Sequence, residues 1–253
     1  MIEKDKYYQF EELTKYENLV HMFTKKDIDF NRKVKTIDEL ESQFSEIETI
    51  LGVKFRKIVF PYQEHTNIVK SVTEENLDDK FLSVDGTITN LKGVALVVSA
   101  ADCQSILLYD DKKKVIGNVH SGWKGTLGRI IQNAIDLMVK EYGSNTRDIM
   151  AFICPSILKC CFEVDEDVVN LFKNEFNDIE IEKFITKGLI KENKQKYYID
   201  TVGINKEVLI NIGLKEDNIV ESNICSKCNS DKIHSHRGSN GSGGRNISII
   251  MMK

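Results

Sequence analysis

The densest apolar pattern in the chain lies between residues 94 and 119. Val94–Ser99 is a short valine-rich run, the pattern of a fully buried strand. Polarity changes abruptly at Ala101-Asp102-Cys103, and a second strand-like run, Ser105–Tyr109, follows at once. Asp110–Lys114 reads as a charged turn. A third strand, Val115–Val119, delivers His120 into the glycine-containing loop Ser121–Gly125. Upstream, Lys57–Pro61 reads as a strand leading into Tyr62-Gln63-Glu64-His65, and Asn67–Val72 as another. Three strand ends therefore present His65, Cys103 and His120, and strand ends and their loops are where a rigid scaffold commonly holds reactive groups.

Helical periodicity appears four times. Thr36–Leu51 carries Leu40, Phe44, Ile47 and Leu51 on one face. Thr36 and Glu39 form a capping box at its start, and Gly52 ends it. Thr126–Tyr142 is the clearest helix, with Leu127, Ile130, Ile131, Ala134, Leu137 and Met138 inward and Gly143 after it. Asp165–Phe176 and Thr201–Ile212 complete the set. Residues 178–196 are polar and lysine-rich and read as a surface excursion anchored by Phe184 and Ile190. Lys4–Phe10, Ile149–Cys154, Tyr197–Asp200, Ile219–Glu221 and Ile247–Met252 read as further strands. Strands and helices mix throughout without a long linker. This predicts one compact α/β (α+β) domain over residues 1–253, with mixed β-sheets and helices packed outside.

Composition narrows the function classes. A chain of 253 residues can build a core without disulfide staples. Its net charge of −4 gives no case for nucleic-acid binding, and no apolar run approaches the ~20 residues of a membrane span. The charged N-terminus lacks the apolar region of a signal peptide, so a cytoplasmic protein with reduced cysteines is expected. In that setting cysteine spacing points to metal binding or catalysis ahead of disulfides.

Imidazole nitrogen and thiolate sulfur suit Zn²⁺, and three protein ligands leave one position open. Spacing alone does not separate such a site at His65, Cys103 and His120 from a buried cysteine with unrelated histidines. Cys225 and Cys228 resemble half a zinc site, but no second pair lies at zinc-ribbon spacing and Cys160-Cys161 is adjacent. The pair is therefore read as loop packing, as are Cys154 and Cys160, while Cys161 is placed against a cleft. Gly238–Gly244 lies between His236-Arg237 and Arg245 and reads as a substrate loop.

Several motifs in a fixed order carry a resemblance. Gln63-Glu64-His65, Ser99–Cys103 and Val119–Gly125 are similar to the Q-x-H, S-T-A-D-C and V-H-A-G-W-R-G motifs of the laccase-domain, YfiH-like family. Cys154–Val164, Tyr198–Asn205, Cys225–Arg237 and Gly244-Arg245 resemble its later motifs, so the likeness runs from about His21 to the C-terminus. Members of that family are labelled polyphenol oxidases or purine nucleoside phosphorylases, and include peptidoglycan editing factors.

The resemblance implies a single domain with a central cleft. It also implies a zinc site at His65, Cys103 and His120, and action on small-molecule purine nucleosides by phosphorolysis and adenosine deamination. Glu163 or Asp102 is the expected proton-moving carboxylate, although Asp102 fits a turn role equally well. Lys124, Arg237 and Arg245 are expected at phosphate and His236 at ribose or phosphate. Gln63 and Trp123 are further candidates for substrate binding. The expected assembly is a monomer or weak homodimer.

The chain departs from the pattern in four places. The opening H-G-F-x-T-R-x-G-G-V-S is reduced to His21–Lys26, Lys124 stands for arginine, Cys154 for glycine, and Glu64 for an apolar residue. Rival readings are a Cys103–His120 amide hydrolase, a copper-dependent polyphenol oxidase, and a non-catalytic zinc protein. Copper is the less favoured metal, because five histidines are few for a laccase-type set of centres.

Overall fold

The computed structural model describes residues 1–253. Two six-stranded sheets lie face to face between helices. The first runs Ile2–Glu3, Tyr7–Gln9, Leu19–Thr24, Asn246–Met252, Val94–Ala100, Lys57–Val59 in spatial order. The second runs Ile219–Glu221, Ile149–Ile153, Gln104–Asp110, Val115–Ser121, Gly86–Thr89, Val69–Ser71. Both are mixed: the Lys57–Val59 strand is parallel to Val94–Ala100, whereas Asn246–Met252 is antiparallel to it.

The continuous apolar runs are explained by this layering, because successive residues of a strand face opposite sides. Val94 and Leu96 point between the sheets with Leu107, Tyr109, Ile116 and Phe152. Ala95 and Val97 point outward onto Phe44 and Ile47 of the helix Ile37–Leu51. On the other side, Ile106, Leu108, Val115 and Val119 meet the helices Ile130–Tyr142 and Thr201–Asn211. Each such side chain, fully buried, contributes about 1.5–3 kcal/mol.

The Thr36–Glu39 capping box and the left-handed Gly52 terminus are both present. Two expectations need correction. The predicted helix Thr126–Tyr142 is divided into Trp123–Leu127 and Ile130–Tyr142, with Arg129 between them in the left-handed region at φ 54°. Arg129 holds that position by binding Glu175 and Asp178. Residues 178–196 are not an irregular excursion. They contain the paired strands Ile185–Lys191 and Lys194–Ile199, joined at Glu192-Asn193, both left-handed. Phe184 packs on the core as expected, but Ile190 is exposed. No helix is long and apolar enough to cross a membrane.

Candidate active site

The chain passes from the first sheet to the second between Val94–Ala100 and Gln104–Asp110. Cys103 stands at that step. His120 lies in the neighbouring strand Val115–Ser121, where it pairs with Ser105. His65 arrives on the loop that follows the strand Lys57–Val59. The ligand atoms of His65, Cys103 and His120 all lie within 4.8 Å of one another. Cys103 Sγ is 3.8 Å from His65 Nε2, and the two imidazole rings meet edge-on with centroids 5.0 Å apart. A tetrahedral zinc with ordinary Zn–S and Zn–N bonds needs a sulfur–nitrogen edge of about 3.5 Å. The donor set therefore fits a single metal ion with small adjustment.

The fit extends to Gly122. A methyl group there would stand 2.9 Å from His65 Cδ2 and 3.0 Å from Cys103 Sγ. Only glycine lets the backbone pass this close to both ligands.

Asp85, overlooked in the sequence, organises the three. It is fully buried at the start of the strand Gly86–Thr89. Its carboxylate accepts from the amides of Glu64, His65 and Thr66, from Thr66 Oγ1, and from His120 Nδ1 at 2.7 Å. Burial alone would raise its pKa, but the bonds from His120 and Thr66 outweigh it and hold Asp85 at about 2. An ionised carboxylate only accepts, so His120 Nδ1 carries a proton, and Nε2 on the Cys103 side is the nitrogen left to hold a metal. This is the carboxylate–histidine arrangement that orients metal ligands. Four of the bonds also hold the loop bearing His65, whose φ of 61° is unusual for a non-glycine residue.

In the metal-free chain the cysteine and histidine polarise each other. Burial would raise the Cys103 thiol, but His120 and His65 pull it down to about 6. Burial would lower His120, but Cys103 and Asp85 lift it to about 9. The chain carried no distinct signal for Asp85, which stands before a glycine as many turn residues do.

A cleft of about 820 Å³ opens over these residues. Of the expected substrate contacts, Gln63, Trp123, His236, Arg237 and Arg245 line it. The Gln63 amide is engaged by Ser99, accepting from its N–H and donating to its carbonyl, which makes it a fastener of the loop. Lys124 is a correction. It is exposed, with its ammonium 5.7 Å from the centre of the Trp123 ring, and is not among the residues that line the cleft. Glu163 is a second correction. Its carboxylate binds Lys191 and Tyr198 within a small sheet of the strands Glu163–Val164, Lys194–Ile199 and Ile185–Lys191, outside the cleft. Asp102 reaches the cleft, but its oxygens accept from Ser226 Oγ, Ser235 Oγ and the Arg237 amide. These partners lie 124 or more residues away along the chain, so the bonds describe neither a local turn nor proton transfer: Asp102, at a left-handed φ of 85°, fastens the segments of Ser226 and Arg237 beside Cys103.

The shortened motif at His21–Lys26 brings a compensation that was not foreseen. His21 is buried and accepts from the Phe10 amide. The cleft wall comes instead from Phe30–Lys33, where Arg32 donates to the carbonyls of Phe60 and Pro61 and stacks on Phe60. Arg32, Lys33, Arg237 and Arg245 thus share the cleft lining with the three donors, alongside the carboxylates of Glu64 and Asp102.

The cysteine reading also changes. Cys154 is buried, as expected of a packing residue. Cys160, Cys161, Cys225 and Cys228 are not separate loop residues, since their four sulfurs lie within 4.8 Å of one another. Spacing could not reveal this, because the two pairs meet only through the fold. Cys161 accordingly faces its partners and not the cleft.

Comparison with known proteins agrees with this architecture. The chain is 32% identical over 214 residues to purine nucleoside phosphorylase YlmD of Bacillus subtilis, covering 82% of this chain and 75% of that protein. It is 32% identical over 213 residues to adenosine deaminase RL5 of an unknown prokaryotic organism, covering 80% and 78%. The crystal structure of the Bacillus licheniformis hypothetical protein YfiH superposes with a TM-score of 0.88 at 26% identity, covering 98% of this chain and 97% of that one. The family model described as multi-copper polyphenol oxidoreductase laccase matches residues 29–253. With nearly nine-tenths of its length inside that match, this chain belongs to the laccase-domain, YfiH-like family.

Proposed function

We propose that the protein is a zinc-dependent purine nucleoside phosphorylase with adenosine deaminase activity. The observation that carries this reading is the convergence of His65, Cys103 and His120 at the foot of a cleft rimmed by arginines. Kinship to proteins named purine nucleoside phosphorylase and adenosine deaminase supports it. His65 Nε2, Cys103 Sγ and His120 Nε2 would hold the ion. Zinc supplies Lewis acidity and lowers the pKa of bound water.

The chain's own groups do the rest. Asp85 keeps the His120 proton on Nδ1, so Nε2 stays a donor of electrons. Arg237 and Arg245 bind phosphate and the anionic sugar product by charge-assisted contacts, and Arg32, held by the Phe60 and Pro61 carbonyls, adds positive charge at the cleft wall. Trp123, Phe162 and Ile157 offer apolar surface to the purine. The phosphorolytic reaction joins a nucleoside and phosphate to give the free base and ribose 1-phosphate. Deamination joins adenosine and water to give inosine and ammonia.

A second reading rests on the metal-free site. Cys103, His120 and Asp85 stand in the order of nucleophile, base and orienting carboxylate, which is the arrangement of a thiol hydrolase acting on amides. Copper oxidation has less support, because only His65 and His120 of the five histidines meet at the donor cluster. Incubation with inosine, with and without phosphate, separates the first two readings. Base release that requires phosphate and is abolished by Cys103→Ala and by zinc removal supports the phosphorylase. An enzyme inert towards nucleosides but inactivated by alkylation at Cys103 contradicts it.

A further inference from the structure

Outside the cleft, one cluster of reactive side chains has no part in the activity described above. Cys160 and Cys161 lie on the turn after Ile157, where the Cys161 amide donates to the Leu158 carbonyl. Cys225 and Cys228 lie on the turn Cys225–Asn229, closed by the Asn229 amide on the Cys225 carbonyl. The fold brings these two turns together. Ser156 pairs with Cys225 as an isolated bridge, the Ser156 amide donates to Ile224 and the Ser226 amide to Ser156.

The four sulfurs face one another. Cys161 Sγ is 3.4 Å and Cys160 Sγ 3.9 Å from Cys228 Sγ, and all four lie within 4.8 Å. A disulfide brings sulfurs to about 2.05 Å. A tetrahedral ion with zinc–sulfur bonds of about 2.3 Å needs sulfur–sulfur edges of about 3.8 Å. The observed spacing suits the second. Cys225 and Cys228 have the two-residue spacing of a zinc knuckle.

We propose that Cys160, Cys161, Cys225 and Cys228 bind a second, structural zinc ion. Four protein ligands close its coordination, so it has no open position for chemistry. It clips the turn after Ile157 to the turn Cys225–Asn229. Ile157 and Phe162 of the first line the cleft, and Ser226 of the second holds Asp102 beside Cys103. The clip therefore fixes the wall of the cleft from behind.

The test removes the other site first. The full-length double variant His65→Ala/Cys103→Ala, purified under reducing conditions, is expected to retain about one zinc per chain. Adding Cys160→Ser and Cys228→Ser should reduce this to none. Loss of metal could follow from misfolding, so cobalt replacement is read in the double variant itself. It should produce thiolate-to-cobalt charge-transfer absorption and the visible bands of a tetrahedral four-sulfur site. A metal-free double variant with four freely alkylated thiols would overturn the proposal. So would a Cys161–Cys228 or Cys160–Cys228 disulfide in the protein as isolated, or zinc retained after both serine substitutions. None of these outcomes depends on nucleoside turnover.

Discussion

Replacing Asp85 by asparagine should damage both the fold and the metal site, by separable amounts. The carboxylate accepts five hydrogen bonds in a position closed to solvent. Oδ2 takes the amides of Glu64 and Thr66 and the Thr66 hydroxyl, while Oδ1 takes the His65 amide and His120 Nδ1. Asparagine keeps one acceptor. With its oxygen in the Oδ2 place, its NH₂ group faces two donors. His120 then becomes the acceptor at Nδ1 and carries its proton on Nε2, where the metal lone pair should be. Removing one partner of a buried charged pair costs about 3–5 kcal/mol. Loss of a carboxylate behind a ligating histidine lowers metal affinity about 10–100-fold.

Urea unfolding of the metal-free protein measures the first effect and zinc competition against a chromophoric chelator the second. Thr66→Val is the control. It removes only one of the five donors, so a cost of about 1 kcal/mol and unaltered zinc affinity are expected. If Asp85→Asn left affinity within twofold of wild type and stability within about 1 kcal/mol, the organising role of Asp85 would be wrong.

Gly122→Ala places a methyl group against His65 and Cys103 and should weaken zinc binding, with an overpacking cost of about 1–3 kcal/mol; unchanged zinc affinity would refute the close-approach argument. In metal-free protein, alkylation of Cys103 followed by peptide mass mapping should rise through a midpoint near pH 6, against 9 for an ordinary thiol, and zinc should block it. A midpoint at the ordinary value would mean that His65 and His120 do not act on the sulfur. His21 is buried and held down to about 4 from 6.5, because burial disfavours its charged form. Its contribution to stability is therefore present above pH 6.5 and lost as pH falls towards 4, by about 3 kcal/mol. Urea unfolding between those values should show a loss that His21→Gln lacks, in a window above that of Asp85, which lies between 3.8 and about 2. Equal pH slopes in the two proteins would contradict it.

The strand ends bearing His65, Cys103 and His120 were legible because alternating burial on two packed sheets leaves long apolar runs that stop abruptly. The Thr36 cap and Gly52 terminus were legible because their chemistry is local. What escaped was set by tertiary contact. Arg129 breaks a periodic helix because two distant carboxylates hold it left-handed. Lys124 and Glu163 have the right chemistry but do not line the cleft, whereas Arg32 does so from a segment without a recognisable motif. Asp85 looks like an ordinary turn residue before a glycine, and only its five donors reveal its work. The two cysteine pairs are 64 residues or more apart along the chain and meet only in the fold.

The central claim is that His65, Cys103 and His120 hold a zinc ion required for phosphorolysis. The most direct measurement is formation of ribose 1-phosphate from inosine and phosphate by wild-type protein, by protein stripped of metal, and by stripped protein given zinc back. Product is expected from the first, none from the second and recovery in the third, with His65→Ala, Cys103→Ala and His120→Ala inactive throughout. Undiminished product from stripped protein, or from any of the three variants, would contradict it.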